Sequence, residues 1–139
     1  MQTFLPYSDF TASARCLDTK RLGKQRVEAW QIYQIVCGNR TTGGWVNHPA
    51  VKMWRGYSDA LAFYYNTICS EWKHRGFRHN MEVLPVQQPV VMPDFIGDMA
   101  FHNSHKSNLL RKAPEHYGQY NWGIESNLPY IWNELTAIK

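Results

Sequence analysis

Residues 18–38 restrict the possible folds more than any other stretch. Leu22, Ala29, Tyr33 and Val36, with Ile32 at the edge, repeat at helical spacing and line one side of a helix with apolar groups. The face opposite carries Arg21, Lys24, Gln25 and Glu28, three and four residues apart. Asp18 stands where an N-cap belongs, and Gly38 follows Cys37 where a helix end favours a left-handed residue. An amphipathic helix of this length has to bury its stripe against other elements.

The rest of the chain offers helices for that purpose and few strand signals. Ser8 or Asp9 caps a short first helix carrying Phe10, Ala14 and Leu17. Asn39 to Gly44 reads as a loop, after which Pro49 opens a helix holding Val51, Met53 and Trp54 that breaks near Gly56. Ser58 caps the next, with Leu61, Tyr65, Ile68 and Trp72 at core spacing and Gly76 at its end. Residues 83–97, with three of the seven prolines, form an extended connection. Asp98 caps a helix through Lys112 that Pro114 stops. The tail, with Trp122, Pro129, Tyr130, Ile131 and Trp132, packs across the bundle. The expected fold is all-α: a compact single-domain helical bundle over residues 1–139 with long ordered loops.

Composition narrows the function classes. An apolar share of 44% suits a globular chain, and no run of about 18 apolar residues exists to span a membrane. Three widely spaced cysteines, Cys16, Cys37 and Cys69, and no signal-peptide layout point to reduced thiols and a cytoplasmic location. Net charge is +4, and Arg15, Lys20, Arg21, Lys24 and Arg26 crowd into residues 15–26 against Asp18 alone. Six Trp, eight Tyr and six Phe accompany them, and flat side chains beside cations suit unstacked bases. DNA is the expected partner, bound by a monomer. The competing reading of the basic cluster is a solvated helix face.

Several residues are candidates for chemistry. Glu28, one turn from Lys24 and two from Arg21, is the carboxylate best placed to stabilise an oxocarbenium-like sugar or take a proton; an ordinary ion pair with Lys24 is the plainer use. Lys24 becomes an amine nucleophile if Lys20 and Arg21 depress its pKa. Arg26, at the margin of the stripe, needs a buried carboxylate or a phosphate. His102, His105, Lys106, Arg111 and Lys112 form a second phosphate- or base-contacting group, or else the histidines complete a core. Trp45 or Trp54 is suited to stack on an unpaired base, with His48 beside them. No zinc-type spacing, phosphate loop or dinucleotide fingerprint is present, so neither metal nor cofactor is implied.

The run from Leu17 to Glu28 (Leu-Asp-Thr-Lys-Arg-Leu-Gly-Lys-Gln-Arg-Val-Glu) resembles a bacterial and phage subgroup placed with the pyrimidine dimer DNA glycosylases of the phage endonuclease V type. Asn47 to Val51 with Met53-Trp54, Glu71-Trp72 with Arg75-Gly76-Phe77, and Phe101-His102 through Lys112 add to the likeness. The resemblance implies a helical enzyme that excises UV-linked pyrimidines. An N-terminal amine attacks the sugar and forms an imine, a glutamate assists, arginines grip phosphates, and a base is flipped out of the duplex. Arg26 matches the arginine that follows the family's glutamate by three residues. Gly23 takes the glutamate's own place, Cys16 that of a helix histidine, and Gln2 that of the threonine after Met. Gln2 blocks removal of Met1, so the terminal amine is that of Met1, and Glu28 is the replacement carboxylate. The expected function is therefore a DNA glycosylase, with AP-lyase activity as an extension. The alternative is a non-catalytic DNA- or nucleotide-binding module on the same fold, and an adaptor for an acidic protein is a third reading.

Overall fold

The computed structural model describes residues 2–132; Met1 and the tail beyond Trp132 lie outside the described residues. Six helices follow one another: α1 (Phe10–Cys16), α2 (Thr19–Val36), α3 (Pro49–Lys52), α4 (Ser58–His74), α5 (Met99–Lys112) and α6 (Pro114–Tyr117), with a 3-10 turn at Gly118–Tyr120. No strand pairs with another into a sheet among the described residues, so the fold is all-α. None of the described helices is long and apolar enough to cross a membrane.

The ends of these helices follow capping chemistry. Asp9 and Asp98 each accept a backbone N–H from two residues ahead, and His48 does the same through Nδ1 for Ala50 at the start of α3. Gly38 and Gly76 take positive φ just beyond α2 and α4, as the left-handed stop requires. Two expected caps differ. Ser58 is the first residue of α4, not its cap, and Asp18 precedes α2 with its carboxylate turned to Arg21 and Tyr117 instead of the helix N–H groups. Pro114 stops α5 as expected but also starts α6, a role its fixed φ favours.

α2 packs chiefly on α4, and α1 lies against the same helix. The buried face of α2 is Leu22, Gln25, Ala29, Ile32 and Ile35, whereas Tyr33 and Val36 are half-buried, so the stripe is rotated toward Ile32 from its expected centre. At the heart of the core, Phe10 meets Trp54 and Tyr64 edge-on, and Phe95 meets Trp54. Each of these fully buried rings contributes ~2–3 kcal/mol through area removed from water. Trp122 and Tyr130 of the tail reach back to Tyr7 and Thr3, joining the last described segment to the first.

Candidate active site

Residues 2–5 cross the interior as an extended strand that no other strand pairs, so its polar groups are met by side chains. Gln25 Nε2 donates to the Gln2 carbonyl at 2.7 Å, and its Oε1 accepts the Phe4 N–H at 3.3 Å. Tyr64 is hydrogen-bonded to Phe4 and Gln25, Tyr130 donates to the Thr3 carbonyl at 2.6 Å, and Trp54 Nε1 donates to Thr3 Oγ1 at 3.2 Å. Two histidines hold Leu5. His105 Nδ1 accepts its N–H at 2.8 Å, and His102 Nδ1 lies 2.7 Å from its carbonyl oxygen. His102 Nε2 accepts from Gly97 N, so the ring proton sits on Nδ1 and donates to Leu5.

The strand ends at Glu28: the nitrogen of Gln2 donates to Glu28 Oε2 at 3.0 Å. Around this contact opens a cavity of about 240 Å³ lined by Gln2, Phe4, Lys20, Arg21, Lys24, Gln25, Glu28 and Lys112. Four cations thus surround one carboxylate. The expected ion pair between Glu28 and Lys24 is not made; among the described residues the ion pairs are Arg21–Asp18 and Arg75–Glu71. Burial alone would raise the Asp18 carboxyl, but the Tyr117 hydroxyl and Arg21 hold it below its ordinary value. Asp18 thereby stays ionised and steadies the guanidinium of Arg21 at the cavity wall. A shallow groove lined by Lys20, Gly23, Lys24, Val27 and Glu28 adjoins the cavity.

The other expected contacts disperse. Trp54, His105 and His102 are 0%, 0% and 1% exposed, and Trp54 Nε1, His105 Nδ1 and both ring nitrogens of His102 are engaged with residues 2–5 and Gly97. They belong to the core and present no surface to DNA in this conformation; for the histidines this is the alternative in which they complete the core, and for Trp54 it departs from the expected base contact. Arg111 donates to the carbonyls of Ser126 and Leu128 and to Asn108, tying down the tail. Lys106 lies over the rings of Tyr7 and Trp122. Arg26 meets neither a carboxylate nor an open phosphate position: its guanidinium lies 4.4 Å from the Trp72 ring centre and donates to His79 Nδ1. Trp45 is 47% exposed and packs with His48, which in turn meets Trp132. Met1 lies outside the described residues.

Gln25 and Tyr64 are the site residues that sequence reasoning missed. The charge pattern places Gln25 on the polar face of α2, yet it is 1% exposed. Its spacing held the signal, since it stands three residues after Leu22 and four before Ala29, on the apolar stripe itself.

A helical chain whose first residues are carried through the core to a carboxylate within a basic cavity has the layout of an enzyme acting on a polyanion. A family model for pyrimidine dimer DNA glycosylases matches residues 1–85, which include Gln2, Lys20, Arg21, Lys24 and Glu28. The chain belongs to the pyrimidine dimer DNA glycosylase family. No curated protein matches the chain. No solved structure matches it either.

Proposed function

We propose that this chain excises damaged pyrimidines from duplex DNA by imine chemistry, with Glu28 as the catalytic carboxylate. The contact between Gln2 N and Glu28 Oε2 carries this reading, because it brings the amino end of the chain and a carboxylate together inside a basic cavity. The α-amine of Met1, one residue before the Gln2 peptide N–H that meets Glu28, attacks C1′ of the damaged nucleotide. As the new C–N bond forms, the glycosidic bond breaks and its electron pair leaves with the base. Loss of the amine proton, assisted by Glu28, allows the sugar ring to open to an imine. Elimination of the 3′ phosphate from that imine is the lyase step. Lys20, Arg21, Lys24 and Lys112 hold the flanking phosphates, and the target is reached by flipping a nucleotide out of the stack. Lys24, one of three lysines lining the cavity, is the alternative amine nucleophile.

Borohydride trapping with a strand-nicking readout tests the reading, using duplexes that carry a pyrimidine dimer, an abasic site or no damage. A trapped adduct with cleavage at the dimer supports it, and peptide mapping then tells the amino end from Lys24. Adduct on the abasic duplex alone redirects the activity to a different pyrimidine lesion. Salt-sensitive binding with neither adduct nor cleavage sinks the enzyme reading in favour of the non-catalytic DNA-binding module.

A further inference from the structure

We propose that Gln25, fixed by Tyr64, is a positioning residue that sets the register of the amino end against Glu28; this rests on the glycosylase reading above. A glutamine on the apolar stripe of a helix loses its hydration on burial, and only well-made hydrogen bonds offset that. Those bonds go to the strand. One side-chain amide presents a donor to the carbonyl of Gln2 and an acceptor to the N–H of Phe4, as a neighbouring strand would. Its orientation follows from its partners, since Oε1 faces the Phe4 N–H and the Tyr64 hydroxyl while Nε2 faces a carbonyl. Tyr64 itself is fully buried and also touches the Phe4 main chain from α4, so the amide is gripped from behind.

The geometry of α2 completes the device. Gln25 and Glu28 stand three residues apart, hence on neighbouring turns of one face. With the Gln2 carbonyl seated on Gln25, the nitrogen of the same residue falls at Glu28. A slip of one residue would turn the strand over and carry that nitrogen away from the carboxylate. A hydrophobic residue at position 25 would fill the stripe equally well but would leave the register unspecified.

The test compares the full-length parent with Gln25→Met, Glu28→Gln and the double variant. It reads single-turnover formation of the borohydride adduct on an abasic duplex, and affinity for a duplex carrying a tetrahydrofuran abasic analogue. Gln25→Met is expected to lose trapping on the order of 100-fold, as misplacing a reacting group does. Affinity stays within about two-fold, separating positioning from binding. Adding Glu28→Gln then costs little more, because the Gln2 N–H that seats the amino end no longer meets the carboxylate. Losses that multiply, a parent-like trapping rate, or an adduct mapped to Lys24 each overturn the proposal. Tyr64→Phe, which keeps the amide but removes one anchor, is the gentler variant and gives an intermediate loss with the same pattern.

Amide hydrogen exchange provides an arm that needs no chemistry. The Phe4 N–H exchanges about ten-fold faster or more in Gln25→Met, while the Leu5 N–H, held by His105, stays protected. Unchanged Phe4 protection overturns the register role. If Phe4 is deprotected but the parent forms no adduct on any damaged duplex, the register role stands and the glycosylase reading falls.

Discussion

Trp72 lies over Gly23 so closely that a Cβ at position 23 would meet its ring at 3.0 and 3.1 Å. The ring is also stacked on Phe77 and faced by Arg26, so it has little room to withdraw. Position 23, where the resemblance expects the catalytic glutamate, is therefore tight for any side chain, which would have to push the Trp72 ring aside by a few tenths of an ångström, and the carboxylate that meets the amino end is that of Glu28. Gly23→Glu should lower stability by about 1–3 kcal/mol through overpacking, despite the better helix propensity of glutamate. It should also fail to restore activity in a Glu28→Gln background. Urea unfolding and a nicking assay check both halves.

Glu28→Gln keeps the shape of the side chain and an acceptor for Gln2 N but removes the charge. Single-turnover excision should fall about 10²–10⁴-fold, the range associated with loss of acid–base assistance. Duplex affinity should hold or rise, because a negative charge leaves a basic cavity. An active Glu28→Gln protein would remove the assignment.

Burial, with His102 as a lesser cause, pushes His105 down to about 3 from an ordinary 6.5. The folded protein thus keeps this ring neutral where the unfolded chain protonates it. The stability it contributes is present above pH 6.5 and is lost as pH falls from there toward 3, by ~1.4 kcal/mol per pH unit for one proton. Burial lowers His102 as well, with the same sign. Thermal melts from about pH 7 to about pH 4, spanning the ordinary histidine value, should slope less steeply for His105→Asn, whose amide oxygen can still accept the Leu5 N–H without titrating.

The cavity cations should report themselves through salt. Lys20→Gln and Lys112→Gln should each flatten the log–log dependence of duplex affinity on salt by about 0.9 if each neutralises one phosphate. Titrations by fluorescence anisotropy on damaged and undamaged duplexes check this, and an unchanged slope would place that lysine outside the footprint.

Trp45 and Trp54 should part company. Trp54→Phe should cost about 1–3 kcal/mol in stability, since it opens a buried space and removes the bond to Thr3, yet duplex affinity should change little. Trp45→Ala should leave stability nearly unchanged and weaken binding to damaged duplex by about 1 kcal/mol or more if it stacks on a base.

The helices were legible because capping and periodicity are local. Asp9, Asp98, Pro49, Gly38 and Gly76 mark ends that the structure reproduces, and the basic face of α2 was visible in the charges alone. The family was legible in short runs of residues, and Glu28 stood out by its neighbours. What stayed hidden depends on long-range contact. Nothing near His102 or His105 in sequence announces that Leu5 is their partner, so a core pair and a phosphate-contacting pair stayed open as readings. Gln25 was hidden differently: its place on the stripe was visible, but its polarity suggested the wrong face. The strand through the core escaped notice because it pairs with side chains, and no alternation of residues marks such a strand.

The side chains that hold residues 2–5 include His102, His105 and Tyr130, about a hundred positions further along. A polypeptide emerging from the ribosome therefore exports residues 2–5, Gln25 and Glu28 well before the two histidines and the tyrosine that complete their mooring. A fragment that stops short of residue 102 carries the carboxylate and the cations of α2 but lacks those three side chains and Lys112 of the cavity.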